Sequence, residues 1–181
     1  MELSALTALS PLDGRYARQT EALRDVFSEC AFMRARVRVE VEWLIALSEF
    51  ELPELAHISD HGKAFLRGLV ENFTVESCQA IKDIEKTTNH DVKAVEYWIK
   101  AQVAHDEELA KASEFVHFGC TSEDINNTSH ALMLSEGRRE LLAFLKGGSG
   151  SGYLIADIYG FDAAGEGVIF GGTLYGNGHT I

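Results

Sequence analysis

From Thr20 to Phe50 the chain has neither Pro nor Gly. Leu23, Val26, Phe27, Cys30, Met33, Val37, Val41 and Leu44 recur there at three- and four-residue steps. That spacing lines one face of a helix and predicts a single long one. Val37–Val41 alternates like a strand, but the helical period on both sides and the missing breakers favour helix. Pro53 ends it. A short helix follows over Lys63–Asn72, with Phe65, Leu66, Leu69 and Val70 apolar. Thr74–Val103 is helical in period with a polar interruption, Thr87-Thr88-Asn89-His90-Asp91. Thr and Asn side chains bond the local backbone and favour caps. One helix should therefore end near Lys86 and another begin near Asp91, burying Val92, Val95 and Ile99. Asp106–Ala112 predicts a further short helix. Thr121-Ser122-Glu123-Asp124, a hydroxyl followed three residues later by an acid, opens a last helix to about Leu145. Before the first helix, Pro11, Asp13 and Gly14 mark turns in an extended N-terminal arm.

The pattern changes character near Lys146. None of the 16 Lys and Arg residues lies beyond it, whereas most of the glycines do. The junction, Gly147-Gly148-Ser149-Gly150-Ser151-Gly152, behaves as flexible coil and reads as an engineered join between segments of different origin. Beyond it, Tyr153–Tyr159 and Val168–Tyr175 read as short strands bounded by glycine. The expected fold class is mainly α with a short β-type C-terminal appendage. The expected organisation is a helical domain over 1–120, a longer helix over 121–146, a linker over 147–152 and a foreign glycine-rich β segment over 153–181.

Composition narrows the function classes. The 181 residues are 46% apolar and 24% charged, as in a folded globular protein. No apolar run approaches the length of a membrane span, and no signal-peptide pattern opens the chain. A net charge of −12 argues against nucleic-acid binding by bulk electrostatics. The three cysteines, Cys30, Cys78 and Cys120, are odd in number and widely spaced. They suggest neither a zinc site nor a disulfide framework, and fit a reducing cytoplasm.

Three polar clusters carry candidate chemistry. Arg15-Tyr16 follows a turn, and a guanidinium fork matches carboxylate or phosphate; a surface Arg packed on Tyr is the plainer reading of these two residues alone. In Asn89-His90-Asp91 a His between helices presents a ring nitrogen while an acid fixes its tautomer; an ordinary cap beside an exposed His is the plainer reading. In His117-Phe118-Gly119-Cys120-Thr121-Ser122-Glu123-Asp124-Ile125-Asn126-Asn127 a helix N-terminus favours an anion. There Thr121 and Ser122 add hydroxyls, although a capping box alone explains Thr121 and Asp124. His57 and His61 stand four apart with only Asp60 close by, too few ligands for a metal. Cys120 reads as a packed thiol.

Together with Ser10-Pro11-Leu12-Asp13-Gly14-Arg15-Tyr16 and Thr87–Tyr97, this last motif makes residues 1 to about 145 resemble adenylosuccinate lyase of the bacterial type, in the fumarase/aspartase superfamily. The resemblance implies a mainly helical, cytoplasmic homotetramer built on a bundle of long helices, of which 121–146 would be the first. It implies elimination of fumarate from adenylosuccinate, giving AMP, and from the succinyl-aminoimidazole carboxamide ribotide of purine synthesis, with no metal or organic cofactor. Arg15 and Tyr16 match nucleotide-binding positions. Asn89, His90 and Asp91 match a second substrate-binding segment, in which the His assists proton transfer. Thr121 and Ser122 match the hydroxyl pair that holds a succinyl carboxylate. The family's general-acid His and base Ser lie in later segments with no counterpart here. The expectation is therefore an N-terminal piece, inactive alone, with a partial nucleotide site and a tendency to self-associate. The competing expectation is an engineered carrier or interaction module presenting the C-terminal β segment.

Overall fold

The computed structural model describes residues 4–50 and 52–147, and beyond them only 157–159, 169–171, 175–176 and 179–180, with side chains described as far as residue 142. The chain divides into two compact units, Met1–Gly137 and Arg138–Ile181. No described helix is long and apolar enough to cross a membrane.

The first unit is built around α2 (Glu29–Glu49), preceded by α1 (Glu21–Phe27). The single helix expected from Thr20 to Phe50 is thus two. Ser28 breaks it with extended backbone, and its hydroxyl accepts from the Ala31 amide at 3.2 Å, capping α2. A Ser amid apolar periodicity was the overlooked cap signal. Val37–Val41 is helical throughout. The remaining helices are α3 (Asp60–Glu71), α4 (Val75–Thr88), α5 (Asp91–Val103), α6 (Glu107–Ala112), a 3-10 turn at Ser113–Phe115, and α7 (Ser122–Gly147). The N-terminal segment is a succession of turns from Ala5 to Thr20 and not an extended arm. Thr20 Oγ1 ties it by donating to the Leu12 carbonyl at 2.9 Å.

α2 packs against α3, α4 and α5. Its stripe Met33, Val37, Val41 and Leu44 joins Leu66, Ile81, Val95, Ile99 and Leu109 in one buried cluster. Each such Leu or Ile contributes roughly 1.5–3 kcal/mol on burial. α4 and α5 form a helical hairpin joined by Asn89 and His90 alone. Asn89 takes the left-handed conformation (φ 51°) that ends α4, and His90 caps α5.

Two expectations are corrected here. Cys30 and Cys78 form a disulfide, with Cα atoms 5.7 Å apart, which ties the start of α2 to α4. Their separation of 48 residues concealed a proximity that only helix packing creates. Ile125, which the expected tendency to self-associate would place on an uncovered apolar face of a last helix without its bundle partners, is 1% exposed. The first turns of α7 are held on α2 by Arg36–Asn126 and Arg38–Glu136 contacts. Leu141, by contrast, is 51% exposed.

In the second unit the described strands pair antiparallel: β1 (Asp157–Tyr159) with β2 (Ile169–Gly171), and β3 (Tyr175–Gly176) with β4 (His179–Thr180). The Gly/Ser tract over 148–152 and most of the expected β segment lie outside the described residues.

Candidate functional site

The site assembles where two helices begin. At the head of α5, His90 Nδ1 accepts the Lys93 amide at 3.1 Å. An imidazole nitrogen that accepts carries no proton, so the neutral ring holds its hydrogen on Nε2. That Nε2 lies 3.4 Å from Ser122 Oγ, in the first turn of α7 and 32 residues away in sequence. The structure thus brings His90 and Ser122 together, with the His90 side chain 51% exposed. Both helix ends direct amide N–H groups and a favourable dipole toward whatever anion lies before them.

Thr121 is occupied by capping. Its amide and hydroxyl donate to Asp124 Oδ2 at 2.7 and 2.8 Å. Those two hydrogen bonds hold the Asp124 carboxyl below the usual range. Ser122 is the hydroxyl of the pair that reaches across to His90.

Asp91 faces inward. Burial opposes its ionisation, but the Val92 amide and the charge and hydrogen bond of Arg36 outweigh that and keep its carboxyl below the usual value. Arg36 is a cation with only 4% of its side chain exposed. Its NH2 group donates to Asp91 Oδ2 at 2.6 Å and its Nε to Asn126 Oδ1 at 2.9 Å. The guanidinium also lies 3.9 Å from the centre of the Phe32 ring. One side chain of α2 therefore fastens the head of α5 to the first turns of α7. That fixes the spacing of His90 and Ser122.

Arg15 and Tyr16 do not join this cluster. The Arg15 guanidinium sits 4.8 Å from the Tyr16 ring centre. Both residues are exposed, and neither makes a hydrogen bond or ion pair with His90 or Ser122 among the described residues. Asn89 is exposed beside His90. No group of His, Cys, Asp or Glu among the described residues could hold a metal ion.

Sequence reasoning missed α2's part. Arg36, Glu40 and Trp43 follow one another at helical steps on α2. Glu40 is buried and bonds His117, and Trp43 Nε1 donates to the Phe118 carbonyl at 2.8 Å. The available signal was a Glu set among Val37, Val41 and Leu44, one turn after Arg36 on a face that is otherwise mostly apolar. His117 was visible in its motif but had no role without its partner.

A family model described as lyase matches residues 14–146. The adenylosuccinate lyase of Haemophilus influenzae is 55% identical over 143 residues, covering 78% of this chain and 31% of the relative. That of Vibrio cholerae is 54% identical over 139 residues, covering 76% and 30%. That of Escherichia coli K12 is 51% identical over 143 residues, covering 78% and 31%. The chain spans about a third of the length of these curated relatives. With the family model matching most of its residues, including both segments that meet at His90 and Ser122, the chain belongs to the lyase family.

Proposed function

We propose that this chain supplies substrate-binding segments of an adenylosuccinate lyase, the enzyme that releases fumarate from adenylosuccinate. The observation that carries the reading is the 3.4 Å approach of His90 Nε2 to Ser122 Oγ at two helix N-termini. A hydroxyl, an imidazole N–H and two sets of amide groups suit a carboxylate or phosphate of a polyanionic nucleotide. In this reading Ser122, with Thr121 beside it, receives a succinyl carboxylate. His90 contacts the substrate and assists proton transfer. Asn89 and Asp91 complete that segment, with Asp91 keeping Arg36 and the head of α5 in place. Arg15 and Tyr16 serve the nucleotide end of a site completed by further segments and subunits. No cofactor is needed, the working assembly is a homotetramer, and the compartment is the cytoplasm, whose thiol reductants would act against the Cys30–Cys78 disulfide.

The groove between α2 and α7 supports the expectation of further partners. It encloses about 630 Å³ and is lined by Val39, Trp43, Cys120, Ile125 and Leu132 among others. No observation favours the carrier reading. The matched residues are those of the helical part.

Calorimetric titration with AMP tests the proposal. Weak binding is expected, reduced by added salt and by Ser122→Ala or His90→Ala. Equal heats for wild type and both variants would refute the assignment.

A further inference from the structure

Among the described residues Glu40 is the one fully buried acid that the candidate site does not use. None of its surface reaches solvent. Its Oε1 lies 2.6 Å from His117 Nδ1, and its Oε2 is buried without a hydrogen-bond partner among the described residues. Burying an acid on an apolar helix face, with half of its acceptors unused, is unfavourable. Only His117 compensates for it. Among the described residues the surroundings add no Lys or Arg at bonding distance. Glu96 of α5 repels Glu40 but is itself paired with Lys93 and Lys100. From the loop side, Cys120 feels the charge of Glu40, and Asp124 that of His117.

His117 has an unusual backbone. Its φ is 65°, in the left-handed region that residues other than glycine seldom occupy. Gly119 two residues later is also left-handed at 72°. Between them the Phe118 carbonyl is held by Trp43. Glu40 and Trp43 stand one turn apart on α2, so a single helix face grips this turn at two successive residues. The turn leads straight into Thr121 and Ser122. A strained backbone persists only where its surroundings hold it. Here the holding group on the ring is the Glu40 carboxyl, which burial pushes above the usual carboxylate range against the opposing hydrogen bond and charge of His117.

We propose that Glu40 is a positioning residue of the candidate site: it occupies His117 Nδ1, locks the ring and the left-handed turn, and so sets where Ser122 meets His90. With Nδ1 taken, Nε2 is the one nitrogen of His117 left to meet a ligand, and it has no hydrogen-bond partner among the described residues. The inference rests on the reading of His90 and Ser122 as a nucleotide site only for its functional consequence. The grip on the turn stands on geometry.

The experiment is NMR on the full chain and two variants. Glu40→Leu fills the apolar surroundings without a hydrogen bond, and Glu40→Gln keeps an acceptor for the ring. In the wild type a slowly exchanging proton is expected on the His117 Nδ1 bond. In Glu40→Leu that proton should vanish, and amide exchange over His117–Ser122 should quicken at least tenfold relative to α3 and α4. Glu40→Gln should restore most of the protection. Absence of the protected proton in wild type would overturn the proposal without any variant. Exchange over His117–Ser122 within twofold of wild type in Glu40→Leu would overturn it as well. Added AMP separates the two readings. Shifts at Ser122 in wild type that persist undiminished in Glu40→Leu overturn the positioning role and leave the nucleotide site standing. Shifts in wild type that are lost in Glu40→Leu and regained in Glu40→Gln support both.

Discussion

Replacing Arg36 by Met removes the clamp between α5 and α7 while keeping most of the buried stem. Two hydrogen bonds disappear, at 2.6 Å to Asp91 and 2.9 Å to Asn126. Breaking a fully buried pair costs about 3–5 kcal/mol. Here the Asp91 side chain is 47% exposed, so water takes over part of its solvation and the upper end does not apply. Loss of the guanidinium on Phe32 adds about 0.5–2 kcal/mol. Burying an apolar Met head in place of a cation returns part of this. The expected net loss is about 2–3 kcal/mol. Urea unfolding followed by the fluorescence of Trp43 and Trp98, both in the first unit, measures it. The midpoint should fall with an unchanged slope. In the same variant the His90 imidazole should lose its proximity to Ser122, read as a lost NOE between the two side chains. A loss below about 0.5 kcal/mol, the level of an ordinary surface change, with the NOE intact, would refute the clamp.

Reducing the Cys30–Cys78 bond opens a loop of 48 residues, worth about 4 kcal/mol in the chain-entropy account; urea midpoints with and without a dithiol reductant should differ accordingly, and identical midpoints would exclude the bond. Asp91→Asn should destabilise at pH 7 but progressively less as the pH is lowered. The folded carboxyl lies below its unfolded value near ~3.9, so its contribution is complete above that value and is lost as pH falls through the lower folded one; a difference constant from pH 7 to pH 2 would contradict this. Cys120, whose thiol is pushed up by burial and then by the charges of Glu40 and Asp124, should alkylate more slowly at pH 8 than free cysteine, as mass spectrometry would register. With Leu134 and Leu141 on α7 more than half exposed, the chain should self-associate in light scattering; a clean monomer at high concentration would count against it.

The helical order was legible because its signals are local. Apolar spacing located α3, α4 and α5, and the Asn89–His90 break was readable from polar residues that prefer caps. The Thr121–Asp124 capping box was legible for the same reason. Ser28 was missed because a single serine inside a strong period is indistinguishable from an exposed helical serine until its hydroxyl is seen to cap. The disulfide and the Arg36 and Glu40 anchors were illegible for a different reason. Each joins residues more than 45 positions apart, and such pairing follows from how α2 packs, not from any local pattern. The site motifs named the right segments, yet the motif does not say which of their residues meet. Thr121 turns inward to its own helix, whereas Ser122 reaches His90. Arg15 and Tyr16 carry an equally distinct motif, and the structure leaves them apart from that pair.

The central claim is that the His90 and Ser122 segments form one anion site of lyase type. Amide chemical shifts of the full chain during titration with AMP test it most directly. The account predicts that His90, Asp91, Ser122 and Glu123 shift together with one apparent affinity, which weakens as salt is raised. Saturating AMP that moves the Ser122 segment and leaves the His90 segment still, or moves neither, would contradict it.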